Sequence, residues 1–188
     1  RSSSAASDVY KRQEYTSWKS NEEKNRNFKN LLKAQKEFGW NLLLNENDTI
    51  SVDGNKIKVI GVENWASSRF QQYGDLDKAY NGLNNEDFKI LMTHNPSHWN
   101  AKVTDAYNDI DLTLSGHTHG LQYGIDIGDF RVSPVRLAYK QWADLYELNK
   151  QYIYVNRGFG FMGYPGRVGI LPEITCLLYT SPSPRDTG

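Results

Sequence analysis

The chain has 188 residues, room for one domain and no second sizeable core. Its 22 Lys and Arg balance 22 Asp and Glu, which excludes a nucleic-acid binder working through bulk electrostatics and a polybasic membrane-surface protein. Hydrophobic residues at 38% and aromatics at 13% exclude global disorder, and the single cysteine, Cys176, excludes an intrachain disulfide framework or a multi-Cys zinc ribbon. No apolar run in this sequence is long enough to span a bilayer.

Residues 1–13 (RSSSAASDVYKRQ) and 176–188 (CLLYTSPSPRDTG) have neither helical nor strand periodicity and resemble translated sequencing-adapter read-through. They are read as non-native tails, and the domain is expected over residues 14–175. From Asn21 to Phe38 the spacing of Phe28, Leu31, Leu32, Ala34 and Phe38 predicts one amphipathic helix, stopped by Gly39. Short apolar runs at Trp40–Leu44, Thr49–Val52 and Lys56–Gly61 predict strands, the last two joined by a hairpin turn at Asp53-Gly54. A short helix is expected around Asp75–Tyr80.

The pattern changes at Phe88–Thr93 (FKILMT), a continuous apolar run that ends at His94. A short helix over Pro96–Tyr107 follows, then a second apolar run, Ile110–Ser115, that ends at Gly116-His117. Strand, helix, strand with polar residues at the strands' C-terminal ends is the layout of an open α/β sheet, whose ligand crevice lies there. Beyond Gly120 the sequence predicts a hairpin around Gly124–Phe130 and strands at Leu145–Leu148, Tyr152–Val155 and near Ile170–Ile174.

The four histidines are His94, His98, His117 and His119. Gly116-His117-Thr118-His119-Gly120 sets two imidazoles one residue apart in a tight loop, with glycines that let the backbone come close to whatever the rings bind. Asn95 is read as the start of a turn, and His98 as packing on a helix surface. Arg157, in Asn156-Arg157-Gly158-Phe159-Gly160, is a candidate for gripping phosphate with its forked guanidinium; pinning the loop is the other reading.

THNP (Thr93–Pro96), LSGHTHG (Leu114–Gly120) and YVNRGFG (Tyr154–Gly160) together resemble the calcineurin-like metallophosphoesterases, in particular their bacterial, membrane-associated branch. The resemblance implies an α/β/β/α sandwich, two sheets packed face to face between helices, of which this chain supplies the C-terminal part. It implies that His94 and His117 share one metal ion and His119 serves a second, the pair of divalent ions (Mn, Fe or Zn) clamping a phosphoryl group for attack by water. The implied substrate is a phosphorylated small molecule or a lipid-linked phosphate, with no nucleic acid, and the implied membrane association runs through N-terminal segments that this chain does not show.

The family's Asp-x-His, Gly-Asp and Gly-Asn-His-Asp/Glu motifs are absent ahead of the helix at Asn21, and Glu14–Trp18 is similar to the stretch that follows Gly-Asn-His. The resemblance therefore implies an enzyme whose catalytic residues lie outside this chain, and a chain that is inactive by itself. A non-catalytic metal- or phosphate-binding module is the first alternative. A structural domain without metal is the second, and it requires the three histidines to point apart.

Overall fold

The structure, a computed structural model, describes residues 18–65, 72–84, 87–128, 130–161 and 164–178. The expected tail at 1–13 and all but residues 176–178 of the other tail lie outside the described residues.

The first helix, α1 (Asn21–Glu37), begins where Ser20 accepts a hydrogen bond from the Glu23 amide, with Glu22 and Glu23 complementing the helix N-terminus. It ends at Phe38, and Gly39 takes the left-handed conformation (φ 74°) that a side chain disfavours. Strands β1 (Glu46–Val52) and β2 (Asn55–Gly61) form the expected hairpin, Asp53 and Gly54 both having positive φ. Helix α2 (Leu76–Tyr80) is capped by the Asp75 carboxylate. Strand β3 (Phe88–Met92) leads into a helical segment, π-type over Trp99–Val103 and α over Thr104–Ala106 (α3), and then into β4 (Leu112–Ser115). A 3-10 turn over His119–Gln122 precedes the ribbon of β5 (Ile125–Ile127) and β6 (Phe130–Val132). A second 3-10 turn, Pro134–Leu137, leads to β7 (Asp144–Leu148) and β8 (Gln151–Val155).

Among the described residues the main sheet has six strands in the order β1-β2-β3-β4-β8-β7, and β5-β6 stand apart as a two-stranded ribbon. The four central strands, β2, β3, β4 and β8, run parallel, while β1 and β7 flank them antiparallel. This is a mixed α/β fold built on a mostly parallel central sheet.

Strand alternation sorts the sheet's side chains onto two faces. Leu91, Ile153 and Val155 pack with Leu76 and Ala79 of α2 and with Trp99, Val103 and Tyr107 of the π/α segment in the main core. The other face carries a row formed by register, Met92 beside Leu114 beside Tyr154, all half-buried. That row is the floor of the site described below.

Two predicted strands are not strands. Trp40–Leu44 is irregular, bracketed by left-handed Gly39 and Asn45 (φ 59°). Its apolar residues pack without pairing, and a Cβ on Gly61 would lie 2.3 Å from Leu43 Cβ. Gly61→Ala should therefore cost about 1–3 kcal/mol through overpacking. Urea unfolding would read it, and an unchanged midpoint would show that Leu43 moves aside freely. The segment Ile170–Ile174 is also irregular: only Ile170 is buried, while Leu171 and Ile174 are exposed, so no alternation supports a strand. His98, expected on a helix surface, is instead fully buried, stacked on Trp65 with ring centroids 4.4 Å apart.

Candidate metal centre

Three loops follow three adjacent parallel strands at their C-terminal ends, where an open α/β sheet presents its crevice. His94 lies two residues beyond β3, His117 two beyond β4, and Asn156-Arg157 directly beyond β8. Backbone hydrogen bonds carry the ladder past the strands: the Gly116 amide donates to His94 O (3.0 Å) and the Asn156 amide to Ser115 O (2.9 Å). The loops are thereby held side by side. Neighbourhood of β8 and β4 is what the sequence did not reveal, since about forty residues separate them.

His94, His117 and His119 line one cavity of about 580 Å³, together with Met92, Leu114, Tyr154 and the loop from Asn156 to Phe161. The rings of His94 and His117 meet edge to face with centroids 5.0 Å apart. His119 stands by the downstream loop, since a Cβ on Gly158 would lie 3.8 Å from its Nδ1. The three histidines thus share a wall. Among the described residues, no group of three or more His, Cys, Asp or Glu side chains is arranged to hold a metal ion.

The loop that carries two of these histidines is conformationally costly. His117 (φ 70°), His119 (φ 50°), Leu121 (φ 53°) and Gln122 (φ 57°) all adopt the left-handed region, each at roughly 1–2 kcal/mol for a residue with a side chain. Such a run persists only where the surroundings over-determine it. Ser133 Oγ donates to Gly120 O (2.8 Å), Thr118 Oγ1 donates to Trp142 O (2.7 Å), and His117 Nε2 lies 2.7 Å from Tyr139 Oη. Behind the loop, Val135, Trp142, Ala143 and Ile170 form a second small core, with Tyr139 packed against it.

Asn95 begins a turn, its Oδ1 accepting from the Ser97 amide at 3.0 Å and the Ser97 hydroxyl at 2.7 Å. Arg157 is on the cavity wall, yet its guanidinium is engaged by carboxylates: Nε donates to Glu173 Oε2 at 2.6 Å, Nη1 pairs with Asp126, and Nη2 approaches Asp144 at 3.7 Å. Arg131 bridges the same Asp126 and Asp144. Burial opposes ionisation of Glu173, but hydrogen bonds from Tyr154, Arg157 and Thr175 outweigh it and hold its carboxyl below the ordinary range. Burial likewise disfavours the charged Arg157, and Glu173 and Asp126 more than offset it, raising its pKa. The network is anionic glue under the loop, and its carboxylates are committed to arginine.

The family model for calcineurin-like phosphoesterases matches residues 10–121, more than half of the chain. The chain belongs to the calcineurin-like phosphoesterase family. Members of this metallophosphoesterase family generally use divalent metal ions. The uncharacterized metallophosphoesterase YkuE of Bacillus subtilis is 32% identical over 150 residues, covering 79% of this chain and 48% of that protein. A bovine transmembrane protein with a metallophosphoesterase domain is 31% identical over 147 residues, covering 72% of this chain and 32% of its own length. An uncharacterized metallophosphoesterase of Helicobacter pylori is 32% identical over 139 residues, covering 73% and 35%. The chain thus spans a half or less of these relatives. No solved structure matches it. Among its described residues, no helix is long and apolar enough to cross a membrane.

The imidazoles of this calcineurin-like phosphoesterase chain are of the donor type that suits a divalent transition-metal ion. The described residues offer only that imidazole share, because Asp126, Asp144 and Glu173 are tied to Arg131 and Arg157. Tyr139, Ser133 and Trp142, which brace the histidine loop, were not singled out from the sequence. They lie outside the span matched by the family model and carry no local motif.

Proposed function

We propose that the intact protein is a metal-dependent hydrolase of a phosphoester or pyrophosphate, and that this chain contributes the imidazole half of its dinuclear site. His94 and His117 hold one ion and His119 faces the second. The observation that carries this reading is that the three histidines line one cavity at the C-terminal ends of adjacent parallel strands, with the rings of His94 and His117 edge to face. Divalent ions bound there would polarise phosphoryl oxygens and acidify water. The loop glycines, Gly116 and Gly158, let backbone and substrate approach closely, while Phe159 and Phe161 form an apolar rim.

Arg157, in this reading, holds the loop against His119 rather than gripping phosphate, since Glu173 and Asp126 occupy its fork. The substrate class is a phosphorylated small molecule or a lipid-linked phosphate. Any membrane association of the intact protein runs through segments outside the described residues.

Neutral imidazoles supply no anionic charge to offset two dications, so zinc or manganese should bind the 188-residue chain weakly. Calorimetry on the chain and on His117→Ala tests this. Binding is expected to disappear in the variant, and equal binding by both would remove the Gly116–Gly120 loop from the metal site. The chain alone should show no turnover of a chromogenic phosphoester. Measurable turnover would show that no carboxylate ligands beyond this chain are needed.

A further inference from the structure

We propose that Tyr139 is the positioning residue for His117, fixing which ring nitrogen faces the metal; this rests on the reading of His117 as a ligand. His117 Nε2 lies 2.7 Å from Tyr139 Oη, and the two rings meet edge to face with centroids 5.3 Å apart. With Nε2 engaged by the phenol, Nδ1 is the ring nitrogen left to face a cation, and His117 lines the cavity. An imidazole that ligates through Nδ1 carries its proton on Nε2, so Tyr139 Oη accepts the hydrogen bond. A hydrogen bond to the distal nitrogen both selects the tautomer and fixes the ring plane.

Tyr139 is itself held. Its amide donates to Val135 O at 2.9 Å, closing the turn after Pro134–Leu137, and its ring packs on the small core of Val135, Trp142, Ala143 and Ile170. The same stretch grips the histidine loop at two further points, Ser133 to Gly120 and Trp142 to Thr118. The phenol is therefore the one contact of this brace that reaches an imidazole directly. The other two grip the backbone and a threonine.

Tyr139→Phe removes the hydroxyl and leaves the ring's packing. Nitrogen-15 NMR of histidine-labelled, metal-free chain should show His117 in the Nε2–H tautomer, and a mixture of tautomers in the variant. Zinc affinity by calorimetry should fall about 10–100-fold, the usual effect of losing such a partner, with an unchanged thermal midpoint. The proposal is overturned if wild-type His117 carries its proton on Nδ1, or if Tyr139→Phe keeps both the tautomer and the affinity of the parent. Wild-type zinc binding by His117→Ala would instead overturn the ligand reading while the NMR result still decides whether Tyr139 sets the tautomer. A variant that fails to fold is replaced by Tyr139→Leu, which removes the phenol, adds no hydrogen-bond donor and carries the same expectations.

Discussion

Acidification from pH 6.5 to pH 5 is expected to destabilise the protein by up to about 1.4 kcal/mol per pH unit through His98 alone. His98 is fully buried, stacked on Trp65, with Nδ1 3.0 Å from Thr93 Oγ1. Burial, followed by repulsion from Lys102 one helical turn away, pushes its pKa down from 6.5 to about 3. The sign follows directly. Above 6.5 the imidazole is neutral in both folded and unfolded chains, and its contribution is at its maximum. Below 6.5 the unfolded chain takes up a proton that the folded chain refuses, so stability falls continuously until pH reaches about 3. Urea midpoints for the protein and for His98→Gln, taken at half-unit steps from pH 7 to 4, isolate this group from the other histidines. The variant should be less stable at pH 7 yet lose less on acidification. Parallel pH profiles would show that His98 titrates normally and that the ring is not sealed in the core.

Asp109→Ala should cost about 3 kcal/mol at neutral pH, because it leaves the ammonium of Lys89 buried without its counter-charge. Lys89 sits on the central strand β3, fully buried on the face that also carries Leu91, and its Nζ lies 3.0 Å from Asp109. Its remaining contact of this kind is with Asp87 O at 3.1 Å. Burial acts against ionised Asp109, but hydrogen bonds from Tyr80 and Lys89 prevail and lower its pKa. The low end of the range for broken buried pairs applies because the Asp109 side chain keeps 27% exposure, so water can partly re-enter. The double change Lys89→Met with Asp109→Ala should recover most of the loss, since the methionine leaves no charge to desolvate. Equal destabilisation by the single and double variants would mean that Asp109 acts through Tyr80 instead, and chemical denaturation of all three proteins decides between them.

The elements whose signal is local were legible from the sequence. The helix from Asn21 rests on its own spacing and on Gly39 at its end, and the β1–β2 turn rests on Asp53-Gly54. The runs that became β3, β4 and β8 are continuous or alternating apolar stretches, and parallel strands inside a sheet need such stretches wherever they lie. The histidines could be singled out because a Gly-His-Thr-His-Gly loop is a chemical statement carried by neighbours in the chain.

Tertiary structure decided what sequence neighbours cannot. Trp40–Leu44 and Ile170–Ile174 read as strands because they are apolar, yet Leu43 lies against Gly61 and Ile170 packs in the second core, with no partner strand alongside among the described residues. His98 reads as packing on a helix surface, and it is fully buried because Trp65, more than thirty residues earlier, stacks on it. Arg157 reads as a phosphate fork or a loop pin, and the three carboxylates that surround it come from Asp126, Asp144 and Glu173, each distant in sequence. The brace from Ser133 to Trp142 carries no motif in the sequence. It became part of the candidate centre because parallel pairing of β8 with β4 folds the chain back beside the histidine loop, bringing Tyr139 to His117 across 22 residues. Local patterns reveal which residues have the chemistry, whereas hydrogen-bond partners across strands determine which of them meet.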